Sequence, residues 1–344
     1  MINKPKRILA IRLSAMGDVA ISVPVIDAMR KQHPEIDLYI LSNTAFAPFF
    51  ENIEGVKFIG IKLKDYKGLK GLYRLYKELS IYGFDLIVDL HNVIRSKFIR
   101  WFFRFSGVKS LVINKGRKEK KALTRRKNKK LVQLETSAER YADVFRKARF
   151  ELILDFKTIY PNGVDLTDKV KELLGSVETK KIGIAPYAMH TGKIYPLERT
   201  DEVIQYLADR GITVYLFGGR NEADELNNRA AKYSNCITVA GKLSFKEELQ
   251  LISQLDVMLT MDSGNMHLAS LVDTPVVSVW GATHPYAGFY GWGQKLSDAV
   301  QIDLLCRPCS VYCSKPCYRK GDDEYACMKL ISPQMVIDKL NYYI

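Results

Sequence analysis

The same local grammar occurs once in each half of this chain: a short apolar run, a tight turn on a glycine beside an aspartate, then a helical pattern. In the first half RILAIRL (residues 7–13) leads through Gly17-Asp18 into an apolar repeat at Val19, Val23, Ile26 and Met29. In the second, DVMLTMD (256–262) leads through Asp262-Ser263-Gly264 into a helix from about Met266. Such a junction gathers backbone N–H groups and the positive end of a helix dipole at one point, a ready anion site. Two of them in one chain point to paired α/β layers. They suit an enzyme that holds a diphosphate in one half and an acceptor in the other.

The rest of the chain keeps the alternation. Residues 37–42, 56–61, 85–90 and 108–113 read as further strands, with helices predicted over 69–82, 94–105 and 135–148. Residues 151–180 break the rhythm and carry the turn signal Pro161-Asn162-Gly163. A second alternation follows, with strands at 181–187, 213–219, 236–241, 256–262 and 275–281 and helices near 200–210, 222–233 and 245–254. Alternating strands and helices imply parallel sheets with right-handed crossovers. The expected fold is α/β, two doubly wound domains whose ligands lie beyond the carboxyl ends of the strands.

A length of 344 residues suits two domains, and 47% hydrophobic content is that of a globular chain with a sizeable core. No apolar run reaches the roughly 18–20 residues that span a bilayer. The opening MINKPKRILAIRL lacks a small-residue cleavage site and reads as a first strand, with a cytoplasmic setting as the default.

The formal charge of +14 is unevenly spread. Residues 115–130 hold ten Lys or Arg against one Glu. This run reads either as a solvated loop or as an arm for an anionic partner. It contains no aromatic residue on which nucleic-acid bases could stack, which favours a phosphate-bearing surface over single-stranded nucleic acid.

Asp18 reads two ways: as a first-turn or N-cap acid, a role contributing about 0.3–1 kcal/mol, or as a general base. Asp262, Ser263 and Gly264 end a strand with donors directed above the sheet, and His267, one turn into the helix, can join them. Lys193, in the loop HTGKIYP, is placed either to be solvated or to neutralise a phosphate. Gly219 ends another strand, and Glu222 follows where it could cap the turn or reach a ribose hydroxyl. No H-E-x-x-H, G-x-S-x-G or Walker A pattern is present, which argues against those hydrolase and NTPase classes.

Five of the six cysteines fall between residues 306 and 327. Cys306, Cys309, Cys317 and Cys327 could form a tetrahedral structural zinc shell, although the spacing is not that of a standard ribbon or finger. Packed thiols are the alternative, and disulfides do not suit a cytoplasmic protein.

Taken together, these segments resemble glycosyltransferase family 9, the ADP-heptose:lipopolysaccharide heptosyltransferases. The resemblance runs through most of the length. It rests on RLSAMGDVAISVPVIDAMR, K-x-x-P at 193–196, AGKLSFKEELQLISQLDVMLTMDSGNMHLAS, W-G-A-T at 280–283 and the cysteine stretch 306–328. Two departures stand out: Ala185-Pro186-Tyr187-Ala188 replaces a P-G-A-type sequence, and Tyr195 replaces a tryptophan.

The resemblance implies a GT-B fold of two facing Rossmann-like domains. Residues 1–155 would form an acceptor domain, 156–180 a linker, 181–330 a donor domain, and 331–344 a helix crossing back to the first domain. It makes Asp18 the catalytic base. Lys193, Gly219, Glu222, Leu243, Asp262, Ser263, Gly264 and His267 become donor-binding, and Arg12, Lys120, Lys121, Arg125 and Arg126 acceptor-binding. The implied reaction is inverting heptose transfer from ADP-heptose to a lipopolysaccharide inner-core acceptor, an anionic glycolipid at the inner face of the cytoplasmic membrane. No cofactor is required and nucleic acid is not a partner. The rival readings are another sugar nucleotide on the same fold, a nucleotide-sugar epimerase, and a nucleic-acid-binding protein using the basic run.

Overall fold

The computed structural model describes residues 5–176 and 179–344. Residues 1–4, at the head of the expected first domain, and 177–178, in the expected linker, lie outside the described residues. The chain divides into two compact units: Met1–Lys115 with Thr136–Ile159, and Gly116–Glu135 with Tyr160–Ile344.

The first unit begins with β1 (Arg7–Ile11), α1 (Met16–Gln32), β2 (Asp37–Asn43), β3 (Val56–Ile61) and α2 (Gly68–Ser80). It continues through β4 (Leu86–Asp89), α3 (Ile94–Phe105) and β5 (Lys109–Val112). The chain then leaves for an excursion carrying α4 (Arg117–Thr124) and returns as α5 (Ser137–Lys147). The strands pair in parallel in the order β3-β2-β1-β4-β5, so strand order reverses at β1. That reversal opens a crevice at the carboxyl ends of β1 and β4, where Ile11 is in register with Asp89.

Local chemistry accounts for these elements. Every residue of α1 from Val19 to Met29 is buried, the signature of a helix apolar on all sides, and wider than the single stripe the sequence suggested. In contrast, α2 and α3 each bury one face: Leu72, Leu75 and Leu79 from one, Ile99 and Phe103 from the other. Leu75, Leu79, Ile99 and Phe103 pack with Leu9, Ile11, Leu41 and Ile87 of the sheet. Each fully buried aliphatic side chain contributes about 1.5–3 kcal/mol. Thr136 caps α5 by accepting the Glu139 N–H at 3.2 Å, worth about 1 kcal/mol.

In the second unit α4 is followed by α6 (Asp168–Leu174), β6 (Lys181–Ala185), α7 (Leu197–Ala208), β7 (Thr213–Leu216) and α8 (Ala223–Ala230). Then come β8 (Cys236–Thr238), α9 (Phe245–Ile252), β9 (Val257–Met261), α10 (Gly264–Leu271) and β10 (Val276–Trp280). β11 (Ala299–Gln301), α11 (Ala326–Lys329) and α12 (Pro333–Leu340) complete it. The all-parallel order β11-β10-β9-β6-β7-β8 again places the reversal beside the unit's first strand, between β6 and β9.

Three segments differ from the sequence expectation. The basic run, expected inside the domain 1–155, belongs to the second unit, because Leu123 and Leu134 bury against Ala287 and the Leu134 N–H donates to the Tyr286 carbonyl at 2.9 Å. The expected linker contains α6, tied to α9 by Gln250, whose amide donates to the Asp165 carbonyl at 2.7 Å. The last helix packs within the second unit: Val336, Ile337 and Leu340 join the core of α7 and β10, and Ser332 caps its start.

Candidate active site

In the first unit the site residues stand at the carboxyl ends of β1 and β4. α1 starts at Met16 with Ala15 as N-cap and no side-chain cap, so Asp18 sits at the third helical position and is no N-cap. Its carboxylate instead pairs with the Arg12 guanidinium. Arg12 is buried, donates to the Leu90 carbonyl at 2.9 Å and lies 5.7 Å from the Tyr141 ring centre. Arg12 therefore holds Asp18 from beneath, and Asp18, about one third exposed, faces outward.

Sequence reasoning missed the neighbours on β4. Asp89, fully buried, pairs with Arg100 at 2.7 Å and accepts the N–H groups of His91 and Asn92 at 2.9 and 2.7 Å. His91 follows it, buried, and burial together with Arg12, Lys115 and Arg95 pushes its imidazole down to about 3. It is neutral at pH 7. The signal was available, since DLIVDLH ends a strand on an acid as DVMLTMD does.

In the second unit the expected donor residues line up along the carboxyl edge of the sheet. Asp262 follows β9, and its Oδ2 lies 2.7 Å from Lys193 Nζ and accepts the Thr283 hydroxyl at 2.7 Å. Lys193 also donates to the Asp262 carbonyl at 3.3 Å. Ser263 is the N-cap of α10 but makes no cap bond; its hydroxyl meets Thr260 at 3.0 Å, leaving the helix start to whatever lies above it. Gly264 is the first helical residue and His267 is buried in the next turn.

The remaining residues fall farther along the same edge. Gly219 follows β7, and Glu222 turns back to accept its N–H at 2.6 Å, the turn-capping alternative. Leu243 is half-buried after β8, where Lys169 binds the neighbouring Lys242 carbonyl at 2.6 Å. Among these donor candidates Lys193 and Asp262 form an ion pair with each other.

The lysine loop is clamped from behind. A side chain on Gly192 would meet Cys313 Sγ at 2.5 Å, and the Gly192 carbonyl accepts the Ala282 N–H at 3.1 Å. Buried Arg307 ties the W-G-A-T turn together, donating to the carbonyls of Gly281 and Thr283 at 2.5 and 3.1 Å. Tyr195 is fully buried and donates to the Ile331 carbonyl at 3.1 Å; burial pushes its phenol up to about 12. It anchors the loop and does not face a ligand.

The expected acceptor residues separate. Lys120 is buried with its Nζ 4.1 Å from the Phe289 ring centre, whereas Lys121, Arg125 and Arg126 are exposed. Arg126 stacks over Tyr318 at 3.9 Å. Cys306, Cys309, Cys313, Cys317 and Cys327 line one small cavity of about 20 Å³, but no metal-holding group of three or more ligands forms among the described residues. Burial raises the Cys309 and Cys313 thiols and pushes Cys327 up to about 12.

The sequence model of glycosyltransferase family 9 (heptosyltransferase) matches residues 72–318. A lipooligosaccharide heptosyltransferase 2 of Haemophilus influenzae is 27% identical across 97% of this chain and 98% of its own length. The structure of E. coli ADP-heptose lps heptosyltransferase II matches with a TM-score of 0.68 at 18% identity, covering 98% of both chains. E. coli heptosyltransferase WaaC with ADP-2-deoxy-2-fluoro heptose matches with a TM-score of 0.65 at 16% identity, covering 98% of this chain and 100% of that one. With two parallel sheets, the GT-B fold of these structures and a family match over most of its length, the chain belongs to glycosyltransferase family 9, the heptosyltransferases.

Proposed function

We propose that this glycosyltransferase moves a heptose from ADP-heptose to a lipopolysaccharide inner-core acceptor, with inversion at the anomeric carbon. The observation that carries the reading is the Lys193–Asp262 pair at 2.7 Å beside the uncapped start of α10. It sets a cation and backbone N–H groups at the reversal of a doubly wound sheet, where such folds bind phosphates. The relatives named above supply the sugar and the nucleotide.

The Asp18 carboxylate takes the proton from the acceptor hydroxyl while that oxygen forms its bond to the anomeric carbon. The bond from that carbon to the diphosphate breaks, and ADP leaves with the bonding electrons. Lys193, His267 and the Gly264 N–H meet the charge that grows on the departing phosphate, an interaction stronger in the transition state than in the bound donor. Thr283 keeps Asp262 in place when a diphosphate draws Lys193 away from it. The backbone at Leu243 and the Gly219 turn with Glu222 hold the nucleoside. Lys121, Arg125 and Arg126 offer exposed positive charge to an anionic acceptor, and the enzyme works at the cytoplasmic face of a membrane. No helix among the described residues is long and apolar enough to cross one.

Calorimetry with ADP-heptose, ADP, UDP and GDP tests the donor, with Lys193→Ala beside the wild type. Binding of the ADP species that weakens in the variant supports the assignment. Preference for UDP or GDP replaces the donor and keeps the reaction class.

A further inference from the structure

The first unit carries an apolar surface that its own core does not use. α3 has two apolar faces. Ile99 and Phe103 point into the sheet, whereas Ile94, Phe98, Trp101, Phe102 and Phe105 recur at helical spacing on the other side. Ile94 and Phe105 are each 72% exposed and Trp101 51%. Exposed apolar side chains scattered singly are ordinary; these are contiguous, and a contiguous patch marks an interaction surface. Trp101 stands 4.6 Å from Phe105 and 5.6 Å from Phe102, centre to centre. Phe102 is in turn 5.4 Å from Tyr73 of α2, joining the two helices in one patch. Leu69, one turn before Tyr73, extends it.

The charge around the patch has one sign. The two helices carry seven Lys or Arg residues and one acidic residue, and α3 has no acid at all. Arg100 is committed to buried Asp89. Lys70 and Lys77 on α2, with Arg95, Lys97 and Arg104 on α3, are exposed around the aromatic rings. Lys77 lies 5.8 Å from the Tyr73 ring centre. Aromatic rings flanked by lysine and arginine on a helix surface form the pattern that seats a protein in the headgroup layer of an anionic bilayer. A protein partner of ordinary chemistry would bring acids and leave the indole and phenyl rings a matching apolar pocket; a bilayer supplies both features along its whole surface.

We infer that the outward face of α2 and α3 is a membrane-docking surface for anionic phospholipid, with Trp101 and Phe105 inserted and Lys97 and Arg104 at the headgroups. This is a different surface from the basic segment 115–130. It rests on the proposed function only in that a lipid-held acceptor gives the docking a purpose.

The test uses the full-length chain and sedimentation with sucrose-loaded vesicles of phosphatidylcholine, with and without phosphatidylglycerol. The wild type should sediment with the anionic vesicles and not with neutral ones, and added salt should weaken binding. W101S/F105S and K97E/R104E should each weaken it by about tenfold or more while leaving the thermal midpoint unchanged. K121E/R125E, on the other basic surface, should retain binding. Wild-type chain that ignores anionic vesicles overturns the inference, as does W101S/F105S binding like wild type. So does K121E/R125E losing all binding, or a wild-type dimer in sedimentation velocity that W101S/F105S dissociates. Transfer to a deacylated acceptor separates this inference from the reaction assignment. It should be equal in wild type and W101S/F105S, and its loss in that variant alone overturns the docking role.

Discussion

Lys193 Nζ lies 2.7 Å from Asp262 Oδ2, a pair whose side chains are 14% and 8% exposed and which joins residues far apart in the sequence. Removing one partner strands the other. Lys193→Ala is expected to lower stability by about 3 kcal/mol, with the Thr283 hydroxyl left as a donor to the abandoned carboxylate. Lys193→Ala/Asp262→Asn should recover most of that loss but none of the ADP affinity. Thermal unfolding and nucleotide calorimetry on both variants check the two halves of this expectation separately.

Asp18 offers a sharper kinetic test. Asp18→Asn keeps the shape beside Arg12 but cannot accept the proton, so kcat should fall by about 10²–10⁴-fold with donor affinity unchanged. Arg12→Met should reduce kcat by about tenfold or more without touching donor KM, because Arg12 positions Asp18. A rise in donor KM in either variant would place these residues elsewhere in the reaction.

Burial pushes the Glu248 carboxyl up to about 7. Its folded value exceeds the unfolded value of 4.5, so the folded state binds the proton more tightly. The stability this gives is complete below pH 4.5 and is lost as pH rises toward 7. Glu248→Gln should therefore match the wild type in acid and exceed it by up to about 3 kcal/mol above pH 7. Denaturant melts of the two proteins at pH 4, 5.5 and 7.5 read the difference directly.

Lys129 donates to the carbonyls of Leu305, Cys306 and Arg307 at 3.2, 2.9 and 2.6 Å. Lys129→Met removes all three bonds to that turn while keeping the stem. Cys306 and Cys309 should then react with a thiol reagent several-fold faster, measured by release of its chromophore. An unchanged rate would show that the turn holds without the lysine.

Elements with a clear period were legible from the residues alone. α3 is predicted over 94–105 and observed as Ile94–Phe105, because its apolar spacing is strong at both ends. Short or charge-masked elements were not. β11 is a three-residue edge strand, and α4 lies inside a run whose charge reads as solvated loop although Arg, Lys, Glu and Ala all favour helix. The site was legible as positions and illegible as pairs. Asp262 and Lys193 both stand out as residues after strands, but only the adjacency of β6 and β9 brings them together. Arg12 gave a positive charge in the sequence; the fold alone shows it directed at Asp18.

The chain passes between its two units after residues 115, 135 and 159. Lys129 thus emerges from the ribosome 176 residues ahead of Leu305, the first of the carbonyls that receive it. At ordinary elongation rates that is a wait of about 10–35 s. For most of that interval Leu123 and Leu134 also lack Ala287, the residue they bury against in the folded unit. The nascent protein passes through this unpaired state on every round of synthesis, before the second unit can close on the segment.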